Sequence, residues 1–209
     1  MNHIPVLHSE IVCIENLEKI AEKLTYPFVL KIPDSCSSLG VFKIDDVSEF
    51  FITALNLLKN SRFLLAQEFY KTPFDWRIGI LDREPMFACK YFMSKNGWQI
   101  IDYSHPEEDS ISKCGHTENI PVKDVPVFVI ETALKASALI GNGLYGVDLK
   151  EKDDSCVVIE INDCMNIDMP FEITEDDDTV LIRIFEVFKN RIIEARKVSV
   201  AKNCPENTI

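Results

Sequence analysis

The chain has 209 residues, 46% of them hydrophobic and 10% aromatic, enough for one sizeable core or two small lobes sharing a cleft. Its 22 Lys and Arg against 34 Asp and Glu leave a net charge of −12, which repels phosphate backbones at long range; with no local basic stripe, a nucleic-acid partner is excluded. The seven cysteines are an odd number without CxxC spacing, the four histidines lack zinc-ligand spacing, and no run resembles a signal peptide or approaches membrane-spanning length. A protein of a reducing compartment, most simply the cytoplasm, is expected, with no membrane partner and with a small acidic ligand bridged by metal.

In chain order, residues 16–24 are apolar at 17, 20, 21 and 24 and predict a helix with Asn16 as N-cap. "YPFVLKI" (26–32) reads as a strand, "PDSCSSLG" as a loop of turn formers, and "VFKI" (41–44) as a short strand. Residues 45–60 predict a helix with an acidic start, and 62–70 another apolar strand. Three strands follow in succession over 75–82, 83–93 and 98–104, with a tight turn at "LDREP". The polar, proline-bearing stretch 104–126 reads as a long loop or mobile flap. Residues 127–141 predict a strongly apolar helix with Gly141 as C-cap; a hairpin then spans 145–163. Residues 175–197 predict a closing amphipathic helix, and "NCPENTI" a frayed end.

Three stretches carry residues that a plain core would not. In "YGVDLKEKDDSCVVIEIND" (145–163), Asp148, Glu160 and Asn162 interrupt apolar strands. With a three-residue loop at Asp153-Asp154-Ser155, Asp148 faces Glu160 and Gly146 faces Asn162. All three polar groups then share one face, while Val157, Ile159 and Ile161 point to the core. A two-residue loop breaks this register. Two close carboxylates repel unless a proton or a cation lies between them, and three oxygen donors on a rigid hairpin suit magnesium. An exposed polar face on an edge hairpin is the alternative. In "VLKIPDSCSSLGVFKI" (29–44), Lys31 ends a strand before a loop of small residues whose backbone N–H groups can approach phosphate oxygens; an ordinary turn with an exposed lysine is the alternative. In "LLAQEFYKTPFDWRIGI" (64–80), a kink at Pro73 is followed by Asp75 and Arg77 on one side of a strand. They suit sugar hydroxyls and a transferring phosphoryl group, or form a simple surface pair.

In this order, "VLKIPDSCSSLGV", "AQEFYKTPFDWRIGILDREPMFACKYFM" and "LYGVDLKEKDDSCVVIEIND" resemble an ATP-grasp carboxylate–amine ligase, closest to the RimK-like branch of ribosomal-protein glutamate ligases and glutathione synthetases. The resemblance implies an α+β fold with two α+β lobes clasping a nucleotide cleft, the smaller over 1–66 and the larger over 67–209. It implies ATP contacts from Lys31, Ser35, Ser37, Ser38 and Gly40, from Gln67, Glu68 and Phe69 at an interlobe hinge, and from Asp75. Arg77, with Lys90 supplying charge nearby, would assist phosphoryl transfer. Asp148, Glu160 and Asn162 would hold magnesium, with manganese as an alternative ion.

The implied reaction is ATP-dependent ligation of a small-molecule or peptide carboxylate to an amine through an acyl phosphate, releasing ADP. Relatives carry another domain before this core, whereas this chain begins almost at the core. A partner or an upstream segment supplying part of the acceptor site is therefore expected, and a nucleotide-binding module without independent catalysis is the alternative function. "HIPVLHSE" lacks the lysine of a Pro-Lys-Thr, the loop has one glycine, "CMNID" replaces a proline-bearing stretch, and Gln99 stands where an arginine is expected. Cys36, inside the loop, reads as an inert small residue.

Overall fold

The computed structural model describes residues 3–35, 38–95, 97–103, 114–167, 172 and 178–202, with side chains as far as residue 197. Among these residues the strands form two antiparallel sheets. The smaller has the order β1-β4-β2-β3, with β1 at Ser9–Val12, β2 at Phe28–Lys31, β3 at Val41–Ile44 and β4 at Leu64–Glu68. Helices α1 (Leu17–Lys23) and α2 (Val47–Leu57) cover one face. Their apolar residues join Val12, Phe28, Leu30, Ile44 and Leu64 in one core, in which the rings of Phe28 and Phe50 meet edge to face at 5.5 Å. Asp46 caps α2 by accepting from the Glu49 amide, and the Glu49 side chain reaches back to the Asp45 amide. Asn16 precedes α1 without capping it. Its amide bonds Cys13 N and Ile11 O, which ties down the turn between β1 and the helix.

The larger sheet has the order β7-β6-β5-β8-β9, with β5 at Phe74–Leu81, β6 at Glu84–Phe92, β7 at Thr117–Ile120, β8 at Leu144–Lys152 and β9 at Ser155–Asn162. Helix α3 (Val127–Ser137) packs on one face, against Trp76, Ile78, Ile80, Val147 and Leu149. Because side chains alternate, Asp75 and Arg77 of β5 and Asp148 and Lys150 of β8 must point from the other face. Helix α4 (Thr179–Lys202) seats Val180 against Phe87, with Ile184 beside it.

Several expectations change. The described part of 98–104 is not a strand; only Ile101 makes an isolated bridge, to Cys114. The strand next to β6 comes instead from the expected flap, where Thr117–Ile120 pairs with Ala88–Tyr91. Its polar residues hid it, because an edge strand is held by backbone bonds rather than by apolar alternation. Strand β1 was not expected either. A lobe division after residue 66 falls inside β4, which stays in the smaller sheet to Glu68. Cys36 and Ser37, residues 104–113 of the flap, the expected helix start at 175–177 and the end at 203–209 lie outside the described residues.

The β8–β9 hairpin corrects the sequence reading in its mechanism. Its tip has two residues, Asp153 and Asp154, both at positive φ (51° and 56°), with Lys152 opposite Ser155. That slips the register by one, and a bulge slips it back. Leu149 faces Val158 while Asp148 faces Glu160, so Ile159 is the extra residue. Below the bulge, Cys156 and Val158 fill the core rather than Val157 and Ile159; above it Ile161 packs on the core as the sequence suggested.

Candidate functional site

The face of the larger sheet opposite α3 presents two neighbouring cross-strand ion pairs of opposite sense. Arg77 lies directly opposite Asp148, and Asp75 directly opposite Lys150. Arg77 grips Asp148 with both prongs, Nε to Oδ1 and Nη2 to Oδ2, the second at 2.9 Å. The guanidinium can lie flat on β8 because residue 146 is glycine: a Cβ there would sit 3.1 Å from Arg77 Cδ and 2.9 Å from Met165 Sδ. Burial raises the Asp148 carboxyl to about 6, with Arg77 opposing the rise. The same burial opposes the Arg77 charge, but the Asp148 carboxylate outweighs it and holds Arg77 firmly protonated.

Asn162 joins Asp148 and Glu160, the two other residues expected from the sequence to hold magnesium. Its Nδ2 lies 3.3 Å from Asp148 Oδ2 and 3.2 Å from Glu160 Oε1. One amide nitrogen therefore bridges two carboxylates, the place a cation would take, and a flip of that amide offers Oδ1 to the same point. Two carboxylates and an amide oxygen fit magnesium, a hard cation that keeps positions for water and phosphate.

From the smaller sheet Lys31 reaches toward this face. Burial lowers its pKa, and the Glu160 carboxylate is the leading influence raising it, with Asp75 and Asp148 acting the same way. Its Nζ donates to Gln67 Oε1 at 2.7 Å, and Gln67 Nε2 donates to Ser9 Oγ at 3.2 Å, so buried Gln67 holds the lysine from behind. Glu68 lines a cleft of about 730 Å³ with Gln67, His8, Val6, Val158 and the bulged Ile159. Phe69 turns away from it to meet Trp98 edge on, with Lys43 above its ring. In the loop, Ser35 Oγ donates to Ile32 O, while Ser38 and Gly40 take positive φ (60° and 74°). Ser38 and Gly40 line a second cleft, beside Trp98 and Gln99, whose side chain donates to Val41 O.

Lys90 is not brought to this site. It stands opposite Trp76, so strand parity puts it on the α3 face, its Nζ 4.5 Å from the Phe74 ring centre and 4.8 Å from that of Trp76. Its neighbours Cys89 and Tyr91 share the Arg77 face instead; the Tyr91 ring lies under the guanidinium and its hydroxyl donates to Glu172. Sequence reasoning passed over Lys150, Thr72 and Tyr91. Lys150, two residues beyond Asp148 on a strand, was recoverable from alternation; the other two carried no signal.

The sequence profile of the D-ala D-ala ligase C-terminus family matches residues 3–165. A search of curated protein sequences returned no match. Among solved structures, the D-alanine–D-alanine ligase from Coxiella burnetii superposes with a TM-score of 0.67 at 14% identity, covering 95% of this chain and 56% of that one. The D-alanine–D-alanine ligase from Bacillus anthracis, also solved with ATP, gives 0.60 at 19%, covering 77% and 52%. An ATP-grasp RimK domain protein from Sphaerobacter thermophilus gives 0.53 at 18%, covering 77% and 53%. The chain thus spans about half the length of these proteins. With the family profile matched over most of its length and the two-sheet architecture in common, the chain belongs to the D-ala D-ala ligase C-terminal family of the ATP-grasp superfamily.

Proposed function

We propose that the chain is the nucleotide-binding and catalytic part of an ATP-dependent carboxylate–amine ligase of the RimK-like kind, joining a small-molecule or peptide carboxylate to an amine. The observation that carries this reading is the approach of Lys31, from one sheet, to the linked trio Asp148, Glu160 and Asn162 on the other. A lysine within electrostatic reach of a bridged carboxylate pair suits a metal-chelated polyphosphate.

In the first step an oxygen of the substrate carboxylate attacks the γ-phosphorus of ATP, and the bond to the β-bridging oxygen breaks. This gives an acyl phosphate and ADP. Lys31 meets phosphate oxygens as a point charge fixed by Gln67, and Arg77 offers a planar fork to the transferring group. In the second step the amine attacks the acyl carbon, phosphate leaves, and the nitrogen loses a proton as the amide forms. Magnesium, held by Asp148, Glu160 and Asn162, would supply charge neutralisation on the phosphates. Ile159 would offer the nucleotide base an apolar contact, with the Glu68 carboxylate as a hydrogen-bond acceptor beside it. Closure of the sheets over the nucleotide would keep water from the acyl phosphate.

The test is Glu160→Gln, which keeps the shape and removes a charge from an exposed side chain. We expect magnesium-dependent ATP affinity to fall tenfold or more, about 1.4 kcal/mol, at an unchanged unfolding midpoint. An unaltered magnesium titration would refute the ligand assignment. ADP release on adding panels of carboxylates and amines tests the ligase itself; ATP binding without release throughout would reduce the chain to a binding module.

A further inference from the structure

The Asp75–Lys150 pair has no assigned purpose in the reaction above. Lys150 Nζ lies 2.5 Å from Asp75 Oδ1 and 3.1 Å from Thr72 Oγ1, and Thr72 Oγ1 donates to the same Oδ1 at 3.2 Å. The two charged side chains are only 15% and 16% exposed, and Thr72 is buried. An ion pair this deep is poor evidence of stabilisation, since desolvating both charges costs about what their attraction returns. The larger apolar core lies on the other face of the sheet, behind Trp76 and Leu149. The pair's place is telling. It sits one cross-strand step from Arg77–Asp148, on the same face, and Lys31 feels both of its charges.

The bonding is one-sided. The ammonium and the Thr72 hydroxyl both end on Asp75 Oδ1, and among the described residues no hydrogen bond reaches Oδ2. A carboxylate recognises a vicinal diol with both oxygens, one hydroxyl to each. Here one oxygen is already saturated by two donors.

We propose that Lys150, assisted by Thr72, is a specificity-determining residue that makes the sugar contact of Asp75 one-pronged: Oδ2 accepts one ribose hydroxyl, and its neighbour is left unread. This rests on the reading that the cleft binds ATP with Asp75 toward the sugar. The consequence is a nucleotide site that discriminates at one of the two ribose hydroxyls only.

The experiment is calorimetric binding of ATP, 2′-deoxy-ATP and 3′-deoxy-ATP, each with magnesium, to the full chain and to Lys150→Met and Thr72→Val. For the wild type we expect one deoxy analogue to bind five- to tenfold more weakly than ATP and the other within twofold. Lys150→Met frees Oδ1, so both analogues should then lose affinity relative to ATP. Thr72→Val, which removes one of the two donors on Oδ1 and leaves the ammonium in place, should narrow the difference between the two analogues without abolishing it. Equal weakening of both analogues in the wild type, or of neither, overturns the proposal without any variant. So does a Lys150→Met protein that binds ATP and still discriminates at one hydroxyl. If ATP itself fails to bind, the nucleotide reading of the cleft falls first, and the two failures are told apart.

Discussion

Replacing Arg77 by Met would test the site's electrostatics without nucleotide or metal. The guanidinium and the Asp148 carboxylate are 16% and 15% exposed and meet in a two-pronged contact. At about 4 Å and an effective dielectric near 20, such charges attract by roughly 4 kcal/mol. Burial already lifts the Asp148 carboxyl from 3.8 to about 6 with Arg77 in place, equivalent to roughly 3 kcal/mol against its charged form. Removing the arginine leaves that carboxylate uncompensated, at an expected cost of about 3–5 kcal/mol at pH 8. The sign of the pH effect follows from proton uptake. An acid whose folded-state pKa is raised binds more protons folded than unfolded, so stability falls as pH rises from about 4 to the folded value, and is level above it. In the wild type that fall ends near pH 6; in Arg77→Met it continues into the neutral range. Urea unfolding with EDTA present, at pH 5 and pH 8, should therefore show a large deficit at pH 8 that shrinks at pH 5. A cost below about 1 kcal/mol at pH 8, or one identical at both pH values, would refute the buried pair.

Thiol labelling offers a second check. Burial pushes the Cys89 thiol up to about 12, while Cys114 and Cys164 are exposed, so alkylation of the folded protein at pH 8 should modify those two and spare Cys89; equal rates would place Cys89 in solvent. At the hairpin tip, replacing Asp153-Asp154 by Asn-Gly should raise stability by about 0.5–1 kcal/mol in urea, because both positions hold positive φ; a loss would show that the aspartates make contacts worth more than the strain. Leu30→Ala, at the fully buried centre of the smaller sheet, should cost about 2–5 kcal/mol in the same assay, and a cost below 1 would place that core elsewhere.

Much of this architecture could be read from apolar spacing. Val41–Ile44 and the long strands at Phe74–Leu81 and Glu84–Phe92 are apolar-rich runs bounded by turn formers. The same signal failed at Thr117–Ile120, where an edge strand needs only backbone partners. Parity, which puts Asp75 with Arg77, also puts Lys90 on the far face once its partner Trp76 is known, but cross-strand register is a long-range fact that local sequence does not contain. The link from Lys31 to Gln67 to Ser9 is likewise invisible along the chain, since it joins three strands and Ser9 is 58 residues from Gln67. The trio on β8 and β9 was anticipated for a reason that fails: the expected loop is one residue too long, and the spare residue lies at Ile159 instead.

That displaced residue separates two design problems. With the extra residue placed between the Asp148–Glu160 pair and the tip, the exposed turn from Lys152 to Ser155 can be rebuilt while Asp148 still faces Glu160. The turn is thus uncoupled in register from the carboxylate pair at the hairpin's base.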